Sequence, residues 1–173
     1  AQVLRLRPDV LIKDLRGNVD TRLRKLEDGD ADALILAAAG LLRLGVVPEH
    51  AAPMSLSEMV PAPGQGCLAV QARASDGETI EVLSALDHAA SRTALEAERG
   101  LMARLGGGCA LPLGAFAEPT AGGVRMVAIA LTPDGARFAR TEVDAATPDE
   151  VAALAALDLS AGGADEILGL VRP

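Results

Sequence analysis

Leu105-Gly106-Gly107-Gly108-Cys109-Ala110-Leu111-Pro112-Leu113-Gly114 joins a helix pattern to a strand pattern through three successive glycines. Just upstream, Ala94, Ala97, Leu101 and Leu105 recur at helical spacing, so a helix beginning at Asp87 or Ser91 runs to Leu105 with one apolar face. Just downstream, residues 111–118 read as a strand. Glycines have no Cβ, so the backbone between the two elements is free to take positive φ and to lie close against another group. The stretch therefore sets a thiol at the tip of a glycine loop. Two readings stand open on local grammar. In one, Gly106 at C′ stops the helix and Cys109 is a small packing residue after a turn. In the other, the thiol is presented to a ligand seated against the glycines. A cysteine that only packs is usually embedded among apolar neighbours, where it stays protonated and inert.

Beyond the strand the pattern is regular. Two more strands are expected over 124–131 and 136–143, joined by Ala121-Gly122-Gly123 and Pro133-Asp134-Gly135, which are hairpin signals. Thr147-Pro148-Asp149-Glu150 is a capping box with proline at the first helical position, contributing roughly 1 kcal/mol to the helix it opens. That helix continues through Leu154 and Leu157, breaks near Gly162-Gly163, and a final turn or two covers 164–170. The order αβββα implies an antiparallel sheet with helices on one face.

Upstream, Val10-Leu11-Ile12-Lys13 reads as a short buried strand, with Pro8 forbidding a helix through that point. Arg16-Gly17-Asn18 turns the chain, and Asn18 or Asp20 caps a helix that runs to about Asp28 and stops at Gly29. Leu34-Ile35-Leu36-Ala37 is the next expected strand, and Gly40 opens a second short helix, completing a parallel βαβα pattern. Such a unit needs sheet neighbours that the sequence does not supply before Ala1, which leaves unpaired strand edges. From Val46 to Gly66 the chain becomes proline-rich and irregular, with Pro48, Pro53, Pro61 and Pro63, as a linker or crossover does. A strand over 67–73 and a short helix over 79–86 follow. The fold class is α/β in its first part and α+β overall.

Composition narrows the function. Hydrophobic residues make up 50% and charged ones 23% of 173 residues, which is globular, with length for one ordinary domain or two small ones. The aromatic share is 1%, with no Trp or Tyr, so base stacking is not how this chain binds anything. A formal net charge of -8 disfavours nucleic acid and anionic membranes, so any bound anion must be held by locally placed arginines. No run approaches a membrane span and the N-terminus lacks a signal-peptide layout, which makes the cytoplasm the expected location. Cys67 and Cys109 form at most one disulfide, fit no zinc spacing, and are both expected to be reduced. His50 and His88 have no partner pattern for catalysis or metal, and Cys67 reads as a small core residue.

Taken together, the 105–114 stretch, Leu15-Arg16-Gly17-Asn18-Val19-Asp20-Thr21-Arg22-Leu23, Leu36-Ala37-Ala38-Ala39-Gly40-Leu41-Leu42-Arg43-Leu44-Gly45 and Pro61-Ala62-Pro63-Gly64-Gln65-Gly66 resemble, in the same order, the hydroxymethylbilane synthase (porphobilinogen deaminase) family. The resemblance covers nearly the whole chain. It implies two periplasmic-binding-protein-like domains with mixed sheets and a small αβββα C-terminal domain holding the cofactor cysteine. On that template residues 1–60 are the latter half of domain two, 61–86 a hinge with a strand and helix returning to domain one, and 87–173 the C-terminal domain.

The implied activity is the deaminating condensation of four porphobilinogen units into hydroxymethylbilane, for tetrapyrrole biosynthesis, on a dipyrromethane cofactor attached to Cys109 through a thioether. Every pyrrole brings carboxylates, which the planar guanidinium of arginine pairs bidentately without losing charge. The resemblance assigns Arg16 and Arg22 to the cofactor, and Arg43, Asn18, Gly40 and Gln65 to the substrate cleft. Arg99 also has a family counterpart, whereas Arg24, Arg73, Arg92 and Arg140 read as solvated surface charges. Porphobilinogen and the growing oligopyrrole are the implied partners, the full-length form is expected to be a monomer, and no metal is implied.

The family's catalytic aspartate, which steadies positive charge developing on the pyrrole, lies upstream of every residue here; Asp14, Asp20 and Asp32 do not align with it. The expectation is that the chain is part of a longer enzyme and inactive alone. An expressed or proteolytic segment, and a split partner of a separate N-terminal chain, are the alternatives to a plain fragment. Two further readings of the function stand beside these: a non-catalytic module binding a polycarboxylate through Arg16, Arg22 and Arg43, and a thiol redox protein using Cys67 and Cys109, which lacks a CxxC or a matched base.

Overall fold

Residues 123–131 alternate Val124, Met126, Ala128 and Ala130 with Arg125, Val127, Ile129 and Leu131, the period of two that puts successive side chains on opposite faces of a strand. In the computed structural model, which describes residues 1–46, 48–107 and 111–170, this is the central strand of a three-stranded antiparallel meander. The strands are β1 (Leu113–Thr120), β2 (Gly123–Leu131) and β3 (Phe138–Ala145), in the order β1-β2-β3. Register runs from Leu113 opposite Ala130 to Thr120 opposite Gly123, and from Val124 opposite Ala145 to Leu131 opposite Phe138. Gly123 fixes the first hairpin: it sits at φ +141, and a Cβ there would lie 2.1 Å from the Ala145 carbonyl oxygen. No other residue fits.

The helices are α1 (Gln2–Leu6), α2 (Val19–Glu27), α3 (Ala38–Leu44), α4 (Gly77–Ser84), α5 (Ala89–Arg104), α6 (Pro148–Ala161) and α7 (Ala164–Gly169). The chain divides into two compact units, residues 9–54 and residues 1–8 with 55–173. In the larger unit, α5, α6 and α7 cover one face of the sheet. Ala97 and Leu101 from α5, with Leu105 at its C-cap, meet Leu113, Ala115, Ala117, Met126 and Ala128 from the sheet and Val151, Ala155 and Leu159 from α6. Small residues set the spacing: a Cβ at Gly100 would lie 3.1 Å from Ala152 Cβ, so α5 and α6 approach closely there. The capping box forms as expected, Thr147 Oγ1 accepting from Glu150 N–H and the Glu150 carboxylate from Thr147 N–H. Gly163, at φ +91, separates α6 from α7.

The opposite face of the sheet is covered by the first residues of the chain and by part of the stretch read as a proline-rich linker. Val60 packs on Val127, Ile129 and Leu131. Its backbone is held from both sides by one amide: Gln2 Nε2 donates to Val60 O and Val60 N–H donates to Gln2 Oε1, each at 2.8 Å. Ala115 N–H donates to Pro61 O at 2.8 Å, and α1 lies against the β2–β3 turn at Gly135. Helix α1 carries no strong sequence signal, since five residues without a side-chain cap hold helical form only through such contacts.

The smaller unit holds α2 and α3. Helix α2 is capped by Asn18 and followed by Gly29 at φ +79, as the sequence implies, while α3 starts at Ala38 instead of Gly40 and ends at Gly45 in the left-handed region. The strands expected over 10–13, 34–37 and 67–73 are not formed; these residues run as irregular chain without a ladder partner. The βαβα pattern of 1–60 is thus reduced to its helices, and the mixed sheet expected there is not seen among the described residues. A strand exists only through its neighbours, and parallel pairing is the weaker kind per residue. Leu11, at 98% exposed, shows how little of that apolar run is packed.

Candidate functional site

The segment from Arg16 to Arg22 is built around a turn that requires glycine. Gly17 takes φ +129, and a Cβ there would fall 2.8 Å from Thr21 Cγ2. With the chain so folded back, Asn18 Oδ1 accepts from Thr21 N–H at 2.9 Å, and Arg22 Nε donates to Gly17 O at 2.8 Å. Arg22 is half-buried and Arg16 exposed, its own carbonyl accepting from Lys25 Nζ at 3.2 Å. Asn18 is thus a helix cap here, a role that occupies its side-chain oxygen. Gly40 faces the first turn of α2, where a Cβ would meet Val19 Cγ2 at 3.4 Å, an ordinary contact. Arg43 lies in the last turn of α3, exposed.

Among the described residues, no ion pair involves Arg16, Arg22 or Arg43, whereas Arg92, Arg104, Arg125, Arg137 and Arg140 each stand beside a carboxylate. Freedom from an ion pair is shared by Arg24, Arg73 and Arg99, so it does not by itself select a site. What sets Arg22 apart is the Gly17 carbonyl, which restrains the guanidinium at Nε and leaves its two terminal nitrogens for a carboxylate.

The second group of candidates lies in the larger unit. Cys109 lies outside the described residues. The chain on either side of it is described: α5 ends at Arg104, Gly107 N–H donates to Met102 O at 2.9 Å, and β1 starts at Leu113. Gln65 is exposed in the turn after Pro63, with Gln65 N–H donating to Ala62 O at 3.1 Å and Gly64 at φ +75. A cavity of about 240 Å³ opens between α1, Met59, Ala62 and the Leu111-Pro112-Leu113 segment. His88 caps α5, its Nδ1 accepting from Ser91 N–H at 3.3 Å; Asp87 instead pairs with Arg92. Half-buried Cys67 directs its thiol to Ser91 O at 3.7 Å.

Glu98 was not singled out from the sequence. It sits on α5 with only 7% of its surface exposed, accepting from Gly64 N–H at 2.7 Å and from Ala117 N–H at 2.9 Å. Burial pushes its carboxyl above the usual range, against the pull of those two N–H groups. The available signal was its place on the apolar face, four residues after Ala94 and three before Leu101.

Two family models match the chain: "Porphobilinogen deaminase, dipyromethane cofactor binding domain" over residues 1–81, and "Porphobilinogen deaminase, C-terminal domain" over residues 93–161. The chain belongs to the porphobilinogen deaminase family. A porphobilinogen deaminase of Desulforudis audaxviator is 42% identical over 99% of this chain and 56% of its own length. That of Thermus thermophilus is 42% identical over 99% of this chain and 58% of its own length, and that of Acidothermus cellulolyticus 43% identical over 97% and 53%. The chain therefore spans somewhat over half the length of these curated relatives. Porphobilinogen deaminases are transferases that use a dipyrromethane cofactor, and the model named for cofactor binding falls on the segment containing Arg16, Arg22 and Arg43. Cys109 falls in the segment matched by the C-terminal model. Among the described residues, no helix is long and apolar enough to cross a membrane, and no three His, Cys, Asp or Glu side chains are grouped to hold a metal ion.

Proposed function

We infer that this chain supplies the cofactor anchor and part of the carboxylate clamp of a hydroxymethylbilane synthase acting in the cytoplasm on porphobilinogen and the growing oligopyrrole. The observation that carries the reading is the identity of 42% with porphobilinogen deaminases over 99% of the chain, a span that contains the four motif segments. In this reading residues 1–60 belong to a second domain, 61–86 to a hinge returning to a first, and 87–173 to a C-terminal domain bearing Cys109.

The residues present suit such a cofactor by their chemistry. A cysteine thiolate is the nucleophile a thioether needs. Arginines that form no ion pair among the described residues suit acetate and propionate groups, each charge-assisted bond contributing about 1.5–3 kcal/mol. Dipyrromethane, when bound, supplies the primer on which the pyrrole chain is extended. Arg16 and Arg22 hold its carboxylates; Arg43, Asn18, Gly40 and Gln65 line the path of the incoming pyrrole. Asn18 acts there by holding the α2 N-terminus in place, since its oxygen is engaged with Thr21.

The test is the intact mass of the denatured chain before and after incubation with hydroxymethylbilane, which a thiol captures with loss of its hydroxyl as water and without the condensation step. An added mass equal to hydroxymethylbilane less one water, absent in Cys109→Ser, is expected. Reversible ligand uptake without a covalent adduct would instead identify a polycarboxylate-binding module, and neither uptake nor adduct would refute both. Turnover to hydroxymethylbilane by these 173 residues alone would overturn the expectation that the catalytic aspartate is supplied by other residues.

A further inference from the structure

The segment that carries Arg16 reaches helix α2 without a ladder to hold it, since residues 10–13 pair with no strand. The hydrogen bonds recorded from residues 10–17 to α2 and the turn after it are cationic side chains donating to main-chain carbonyls. Lys13 Nζ donates to Asp30 O at 3.1 Å, Lys25 Nζ to Arg16 O at 3.2 Å, and Arg22 Nε to Gly17 O at 2.8 Å. Asp30 N–H closes on Lys25 O at 2.9 Å, which fixes the backbone from which the Lys25 side chain starts. Two successive carbonyls, those of Arg16 and Gly17, are thus each drawn to α2 by a cation. Arg22 and Lys25 are half-buried, whereas Arg24 between them in sequence is exposed. Like charges three positions apart on a helix repel, and the negative ends of the two carbonyls offset that repulsion. Lysine suits the Arg16 carbonyl because its four-carbon stem spans the nine positions back along the chain and ends in a compact ammonium.

We propose that Lys25 is a positioning residue for the carboxylate clamp: by holding the Arg16 carbonyl against α2, it sets where the Arg16 guanidinium stands relative to Arg22. Lys25 acts through Arg16 and not by contact with the bound carboxylates. The proposal rests on the reading of Arg16 and Arg22 as that clamp.

The experiment is a double-mutant cycle on the 173-residue chain carrying Cys109→Ser, in which uptake of hydroxymethylbilane stays reversible and is read by calorimetry. Lys25→Met, close in shape but without charge or donor, is expected to weaken binding about fivefold in this parent and under about twofold once Arg16→Gln is also present. A charge acting on the ligand from a distance weakens binding by the same factor in both backgrounds, as does a general loss of structure. Equal losses would therefore overturn the proposal. In parallel, NMR order parameters of the Arg16 and Gly17 amides in the free protein are expected at about 0.85 in the parent and below about 0.6 in Lys25→Met, with Leu23 and Leu26 in α2 unchanged. Unchanged order at Arg16 and Gly17 would also overturn it. If the parent takes up no hydroxymethylbilane, the clamp reading fails, and the order parameters alone decide whether Lys25 fixes the turn.

Discussion

Replacing Gly114 by alanine tests how closely the 60–66 segment is pressed on the sheet. A Cβ at this position would lie 2.7 Å from Val60 O, 3.0 Å from Val60 Cβ and 3.1 Å from Ile129 Cγ2. Ordinary carbon–oxygen contacts begin at about 3.3 Å, so the segment must retreat by roughly 0.6 Å. That retreat stretches the Ala115 N–H bond to Pro61 O from its 2.8 Å toward the limit of a useful hydrogen bond. Overpacking costs about 1–3 kcal/mol and a weakened hydrogen bond about 0.5–1.5 kcal/mol, offset by about 0.4–1 kcal/mol from the stiffer unfolded chain. The net expectation is a loss of about 1–3 kcal/mol. With no Trp or Tyr the chain offers no useful fluorescence, so urea unfolding is followed by far-UV circular dichroism together with hydrogen exchange of the β2 amides. Gly122→Ala is the control, because nothing lies within 4 Å of its would-be Cβ. If Gly114→Ala matched that control within about 0.5 kcal/mol, the surface-scale effect expected of a free position, Val60 would not be pressed against β1 in solution.

Other outcomes follow from the same contacts. Thr147→Ala removes the cap of α6 and should lower stability by about 1 kcal/mol at unchanged urea slope. Arg22→Lys keeps the charge but loses the fork and the Nε bond to Gly17 O; affinity for hydroxymethylbilane by calorimetry should fall about tenfold or more, with little change in Tm. Unaltered affinity would remove Arg22 from the clamp. The pH dependence separates two kinds of carboxyl. Glu98, held high by burial, contributes stability that is full below the unfolded value of about 4.3 and declines as pH rises through its folded value. Glu142, held low by hydrogen bonding and charge from Arg125, and Asp134, held low by Thr132 and Ala136, contribute above the ordinary range and lose that contribution on acidification. Wild type and Glu98→Gln share the second effect, so the stability gap between them should be wider at pH 4 than at pH 7; a constant gap would show that Glu98 does not titrate as its burial requires.

The local geometry at the first candidate segment was legible because its contacts lie within a few residues. Arg16-Gly17-Asn18 reads as a turn and cap, and the structure supplies the bond from Thr21 N–H and the left-handed glycine that the reading needs. The role of Arg22 came from family resemblance, and only the structure adds its bond to Gly17 O. Glu98 was passed over because charge on a helix normally marks the solvated side; its two partners lie 34 and 19 positions away in sequence.

The αβββα order, both hairpins, the capping box and the break at Gly162-Gly163 follow from the order of the amino acids alone. Each depends on interactions within a few residues: the steric freedom of glycine, a cap reaching three positions ahead, or alternation along one strand. Long-range packing settled what covers the second face of the sheet, where Gln2 meets Val60 across 58 positions, and what becomes of the apolar runs at 10–13, 34–37 and 67–73. Strand propensity is a statement about fitting a pleated surface that neighbours provide. Where the described chain offers no neighbouring ladder, the same residues stay irregular, and where a distant carboxylate offers two oxygens, a turn, a helix and a strand become one joint.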